Sequence, residues 1–139
     1  MDTTVNVRVQ IKGHAAGTSG WLAAILNDSE LVIRKTRHGI PGMFLHEKHD
    51  ATGDVRKENE GNIFVCRPAM GNQSDEDYEF TTINGIEYVS THATSRAMIY
   101  GGGFDISFTQ YPLTPACKKA LEQFLAEAVR KFAEWYEVQ

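Results

Sequence analysis

TPACKKALEQFLAEAVRKFAEW, residues Thr114 to Trp135, is the stretch on which the fold turns. Cys117, Leu121, Phe124, Leu125, Ala128, Phe132 and Trp135 recur at i, i+4, i+7, i+8, i+11, i+15 and i+18. That spacing makes a wide apolar stripe along a helix of roughly five turns. Lys118, Glu122, Glu127, Arg130, Lys131 and Glu134 fall on the opposite, wet face. Thr114 can cap the first turn with its side-chain oxygen, and Pro115 suits the first helical position, where a missing N–H costs nothing. A stripe this wide needs an apolar surface to cover, and the rest of the chain reads mostly as strands.

Immediately upstream, Arg96 to Tyr100 and Phe104 to Gln110 read as two strands joined by Gly101-Gly102-Gly103. Tyr78 to Ile83 and Ile86 to Thr91 flank Asn84-Gly85, and Asn-Gly is the strongest two-residue hairpin signal because both positions need positive φ. Ile63 to Cys66 is a short apolar strand stopped by Pro68. Leu31 to Lys35 and Met43 to His49 are strands on either side of a turn at His38–Gly42. Thr3 to Lys12 alternates, with Val5, Val7, Val9 and Ile11 on one face and Asn6, Arg8, Gln10 and Lys12 on the other. Trp21 to Asn27 is too short for periodicity to choose between helix and strand. Gly13–Gly20, Asp50–Asn62 and Ala69–Asp77 read as turn and loops.

Consecutive strands with short connections pair antiparallel, so the expected class is α+β. The architecture is an antiparallel sheet of about seven or eight strands packed on one long C-terminal helix. The order of elements resembles that of helix-grip domains, in which a curved sheet wraps the last helix and leaves a cavity between. The resemblance is one of order alone and carries no motif, so it implies no activity.

The chain has 139 residues, 42% of them apolar, which fits a single domain over residues 1–139 with one real core. No apolar run approaches the roughly 18 residues a membrane span needs, so no membrane partner is expected. The N-terminal residues lack the basic and apolar regions of a signal peptide. With Cys66 and Cys117 far apart, this points to free thiols and a cytoplasmic location. The net charge of -4 is uneven. Residues 1–67 sum to +1 and residues 68–139 to -5, with no Lys or Arg between Pro68 and Ser95. Duplex nucleic acid needs a basic stripe, and the chain as a whole has none.

Several groups of residues invite a functional reading. Glycines within β structure mark a bend or a close approach by a ligand, and Tyr100 and Phe104 flank three of them. With Arg96, they form the first candidate site, for a small anionic, nucleotide-like ligand. Arg34, Arg37 and His38 form the second, in the densest basic stretch, where a guanidinium fork could hold a phosphate or carboxylate. His46 and His49 look like metal chemistry, but an odd offset along a strand puts them on opposite faces, so no metal site is expected. Gly13–Gly20 lacks both the P-loop Lys and the dinucleotide glycine spacing, so no cofactor is expected. Cys117 lies in the first helical turn beside Lys118 and Lys119, where a thiol can be activated, but its place on the stripe reads as core, and Cys66 reads the same way. Trp135 belongs to the stripe, and Tyr136 is left open.

No Ser, Cys or His sits in a persuasive activated setting, so the balance is against catalysis. The expected function is that of an intracellular non-catalytic binding protein. Its ligand would be a small anion or a protein partner, a second copy in a homo-oligomer included. One alternative is a small hydrolase or cyclase with His92 or His46 as general base, oriented by Asp105 or Glu87. Another is an inhibitor or adaptor whose acidic segment Asp75–Glu79 occupies a partner's basic surface.

Overall fold

The helical stripe is buried where its spacing predicts. A computed structural model describes residues 3–5, 17–36, 38–50, 52–57, 62–69, 78–91, 96–98 and 107–139. Along the chain lie β1 (Thr3–Val5), α1 (Gly17–Asn27), β2 (Ser29–Lys35), β3 (Pro41–Glu47), β4 (Asn62–Pro68), β5 (Tyr78–Ile83), β6 (Ile86–Thr91), β7 (Arg96–Met98), β8 (Ser107–Pro112) and α2 (Pro115–Glu137). The α+β class and the long C-terminal helix are as expected. Thr114 caps α2 by accepting the Cys117 N–H at 3.2 Å, with Pro115 beginning the helix.

The strand count in the main sheet is lower than expected. Among the described residues, six strands join in the order β1-β2-β3-β4-β6-β5, and β7 pairs with β8 separately. The reason lies at β6, which has β4 on one side and β5 on the other. The strand that follows β6 therefore has no free edge beside it. The β5–β6 hairpin turns at Asn84 and Gly85, with φ of 52° and 77°, as a two-residue turn of this type demands. Trp21–Asn27 resolves as helix within α1. Leu22, Ala23 and Leu26, one turn apart, enter the core together. The strand expected over Thr3–Lys12 is described only as β1, and its remaining residues lie outside the described set.

One face of the sheet meets both helices. Leu31, Ile33, Met43, Leu45, Cys66 and Tyr88 pack with Leu22 and Leu26 of α1 and with Cys117, Leu121, Phe124, Leu125, Ala128 and Phe132 of α2. Tyr88 is fully buried, and its hydroxyl donates to the Pro41 carbonyl at 2.6 Å, so no polar group is stranded there. Trp135 is partly buried at the margin of this core, its ring stacked on Phe132 at 6.1 Å.

The other face is apolar as well. Register pairs Val32 with Phe44 and Phe44 with Phe64, a row across three strands. Val32, Phe64 and Val89 are buried although strand register puts them on the face away from α2. Between β3 and β4 the register shifts, since Met43 pairs with Cys66 while Phe44 pairs with Phe64. Val65 is thus an extra residue in β4, a bulge. Phe64 and Arg67, three apart, would sit on opposite faces of a regular strand, and the bulge brings them to the same one.

Candidate functional site

Two guanidinium-bearing side chains reach the face turned away from α2. Arg34 of β2 shares a face with Val32 and stands opposite Gly42 of β3. Because Met43 pairs with Cys66, antiparallel register sets Arg67 of β4 alongside Gly42 from the other side. The Arg67 guanidinium carbon lies 4.7 Å from the centre of the Phe64 ring, a cation–π distance. Its Nε is buried with no hydrogen-bond partner. A buried donor left unmatched costs about 1–3 kcal/mol, so a partner for it would be stabilising.

Gly42 shapes the floor between the two arginines. A Cβ there would sit 3.2 Å from the Cys66 carbonyl oxygen and 3.3 Å from Phe44 Cε2. The ring of Phe44 therefore leans along its own strand and occupies the space that a side chain at position 42 would need. The result is an aromatic surface with one arginine on each flank. Guanidinium groups offer planar, paired donors suited to phosphate or carboxylate.

Of the second candidate set, Arg34 is in this arrangement. His38 is exposed in the β2–β3 turn, where the Thr36 N–H and hydroxyl both donate to the Ile40 carbonyl. Arg37 lies outside the described residues. Of the first set, the Arg96 backbone pairs with Pro112 in the β7–β8 ladder, and Tyr100 and Phe104 lie outside the described residues. Sequence reasoning missed Arg67. Its signal was present in runs such as Phe64-Val65-Cys66, apolar on both faces, which mark a strand covered on both sides.

The histidines take up separate tasks. His46 bonds through Nε2 to the Lys57 carbonyl at 2.9 Å. Glu87, its suggested orienting carboxylate, is on β6 opposite Thr82, with β4 between β6 and β3. His92 and Asp105 lie outside the described residues. His49 instead pairs with Asp28, Nδ1 to Oδ1 at 2.8 Å, while its backbone N–H donates to Asp28 Oδ2 at 3.2 Å. This ties the end of α1 to the end of β3. Among the described residues no group of three or more His, Cys, Asp or Glu is placed to hold a metal.

The hydrogen bond from His49 is the main reason the Asp28 carboxyl titrates below its usual 3.8, with the His49 and Lys48 charges adding to it. A depressed carboxyl stabilises the fold above its unfolded pKa and loses that contribution as pH falls through the folded value. In a His49→Ala variant, the Asp28 carboxyl should titrate higher than in the wild type when followed by carboxyl-carbon NMR. An unchanged midpoint would show that His49 is not the cause.

Both cysteines are buried, as the stripe and strand positions imply, and neither is in a disulfide. Of the acidic segment, Glu79 is described, exposed on β5. No family model, curated protein or solved structure matches this chain. Function therefore has to be argued from the side chains themselves.

Proposed function

We propose that this protein is a non-catalytic binding protein of the cytoplasm whose ligand is a small anion, held at Arg34 and Arg67 on the sheet face away from α2. The observation that carries the reading is Arg67. Its guanidinium rests on Phe64 at 4.7 Å while its Nε is buried without a partner. The contact with the Phe64 ring restrains the guanidinium, and a fork restrained in advance loses less entropy when an anion docks. Arg34, across Gly42, brings a second positive charge to the same face. The cytoplasmic assignment is supported by two buried cysteines, neither of them in a disulfide. No described helix is long and apolar enough to cross a membrane.

The test is titration calorimetry with ribose 5-phosphate as the anionic probe. Arg67→Gln removes the charge and the fork and should weaken binding about tenfold or more, as expected for a charge-assisted hydrogen bond. Arg67→Lys should recover only part of the loss, because a lysine has no fork. Equal affinity in wild type and Arg67→Gln, or no binding by the wild type at millimolar probe, rejects the reading.

One observation favours a second reading, that of a small hydrolase or cyclase. Asp28 holds His49 by Nδ1, which leaves Nε2 directed elsewhere and able to act as a base. It ranks second because both side chains are more than two-fifths exposed, at 45% and 42%, and water at that exposure weakens the pair.

A further inference from the structure

We infer that the ligand carries a planar aromatic ring beside its anionic group, that Phe44 receives the ring, and that Gly42 sets this preference. The inference rests on the anion site proposed above and adds the chemical class of what fills it.

Three observations lead there. First, the Phe44 ring lies over Gly42, since a Cβ at position 42 would come within 3.3 Å of Cε2 and 3.4 Å of Cζ. A glycine inside a strand weakens it, and its usual reward is the close approach of another group. Here that group is the distal edge of the Phe44 ring, whose Cε2 and Cζ approach Gly42. Second, in the row Val32–Phe44–Phe64, the two outer members are 5% and 3% exposed, whereas Phe44 is only half-buried. Phe44 is thus the member of the row that still offers surface. Third, the arginines stand one strand to either side of Gly42, about 4.8 Å away at the backbone. A ring resting on Phe44 would place its substituents within reach of both guanidinium groups. Phe64 already covers one face of Arg67, so an incoming anion meets the edge of the fork.

An aromatic floor between two cations discriminates between anions. An aliphatic phosphate uses only the arginines, while an aromatic one uses the floor as well. Stacking of a base on an aromatic side chain tolerates many ring types, so the class recognised is an anionic aryl or heteroaryl compound rather than one base.

The test compares adenosine 5′-monophosphate with ribose 5-phosphate by calorimetry, first on the unaltered protein. The nucleotide should bind about fivefold tighter or more, the usual worth of one stacked base. Phe44→Leu should erase that difference. Gly42→Ala, which forces the Phe44 ring to move, should also reduce the preference. Equal affinity of the two probes in the unaltered protein overturns the aromatic inference, while the anion site stands if ribose 5-phosphate still depends on Arg67. A preference that survives Phe44→Leu, with the variant folded by circular dichroism, also overturns it. If neither probe binds, the anion site falls too. The comparison on the unaltered protein needs no variant to fold.

Discussion

Phe132→Ala is expected to remove about 3–5 kcal/mol of stability, the usual cost of emptying a buried phenylalanine site. Phe132 is fully buried in the fifth turn of α2, on its apolar stripe. Its ring meets Tyr88 edge-on at 5.3 Å, Trp135 at 6.1 Å and Tyr136 at 5.8 Å. Alanine would therefore break three ring contacts as well as leave a cavity. The surroundings cannot collapse easily, because Tyr88 is held at its far end by the hydrogen bond to Pro41. A domain has only about 5–15 kcal/mol in total, so the loss is a large share of it. The melting temperature should drop by roughly 10–15 °C for a chain of this size. Urea unfolding followed by far-ultraviolet circular dichroism measures the change. Val138→Ala, at a position 80% exposed, is the control and should stay within about 0.5 kcal/mol of wild type. A loss below about 1 kcal/mol at Phe132 would mean that α2 does not depend on this stripe for its place on the sheet.

The contrast between Phe132 and Arg67 shows what could be read in advance and what could not. The helix was legible because a period of 3.6 over some twenty residues is a local signal, and every stripe residue from Cys117 to Phe132 is buried. The Asn84-Gly85 turn was legible for the same reason, since the chemistry is confined to two residues. The neighbour order of the strands was not. Local rules join β5 to β6, but both members of a hairpin are equal candidates to lie beside β4, and the chain chooses β6. That choice leaves β6 with no open edge for the strand that follows it. The arginine pair depends on still less local facts. Arg67 reaches the face of Phe64 only because Val65 is an extra residue, and a bulge is invisible in an alternation count. Arg34 and Arg67 then meet across Gly42 only once three strands are in register. The His49–Asp28 pair was unreadable for a similar reason, because it joins the end of α1 to the end of β3, 21 residues apart.

Raising the pH from 7 to 10.5 should cost the wild-type protein about 2 kcal/mol more than it costs a Cys66→Ala variant. Burial pushes the Cys66 thiol from 9.0 up to about 12, because its thiolate would sit among apolar side chains with no water. Below pH 9 the thiol is protonated in both folded and unfolded chains and contributes no pH dependence. Above pH 9 the unfolded chain ionises and the folded one does not, so the unfolded state binds fewer protons and stability falls. The slope approaches 1.36 kcal/mol per pH unit and persists until the folded value near 12 is reached. Tyr88, also raised by burial, loses stability in the same direction at higher pH, but it does so in both proteins and largely cancels in the difference, Cys66 being the smallest cause of its shift. The alanine variant will be less stable at pH 7, since it leaves a small cavity between β3 and β6. The gap between the two proteins should then narrow as pH rises. Urea unfolding at matched pH values from 7 to 10.5 gives the two curves, and parallel curves would show that the Cys66 thiol ionises as easily folded as unfolded. The same burial makes a kinetic prediction on the same protein. At pH 8 a thiol near 12 is ionised about a thousandfold less than one at 9.0, so iodoacetamide should reach Cys66 only through unfolding. Labelling should then track global stability in urea, which ties the reactivity of this sulfur to the packing of the sheet around it.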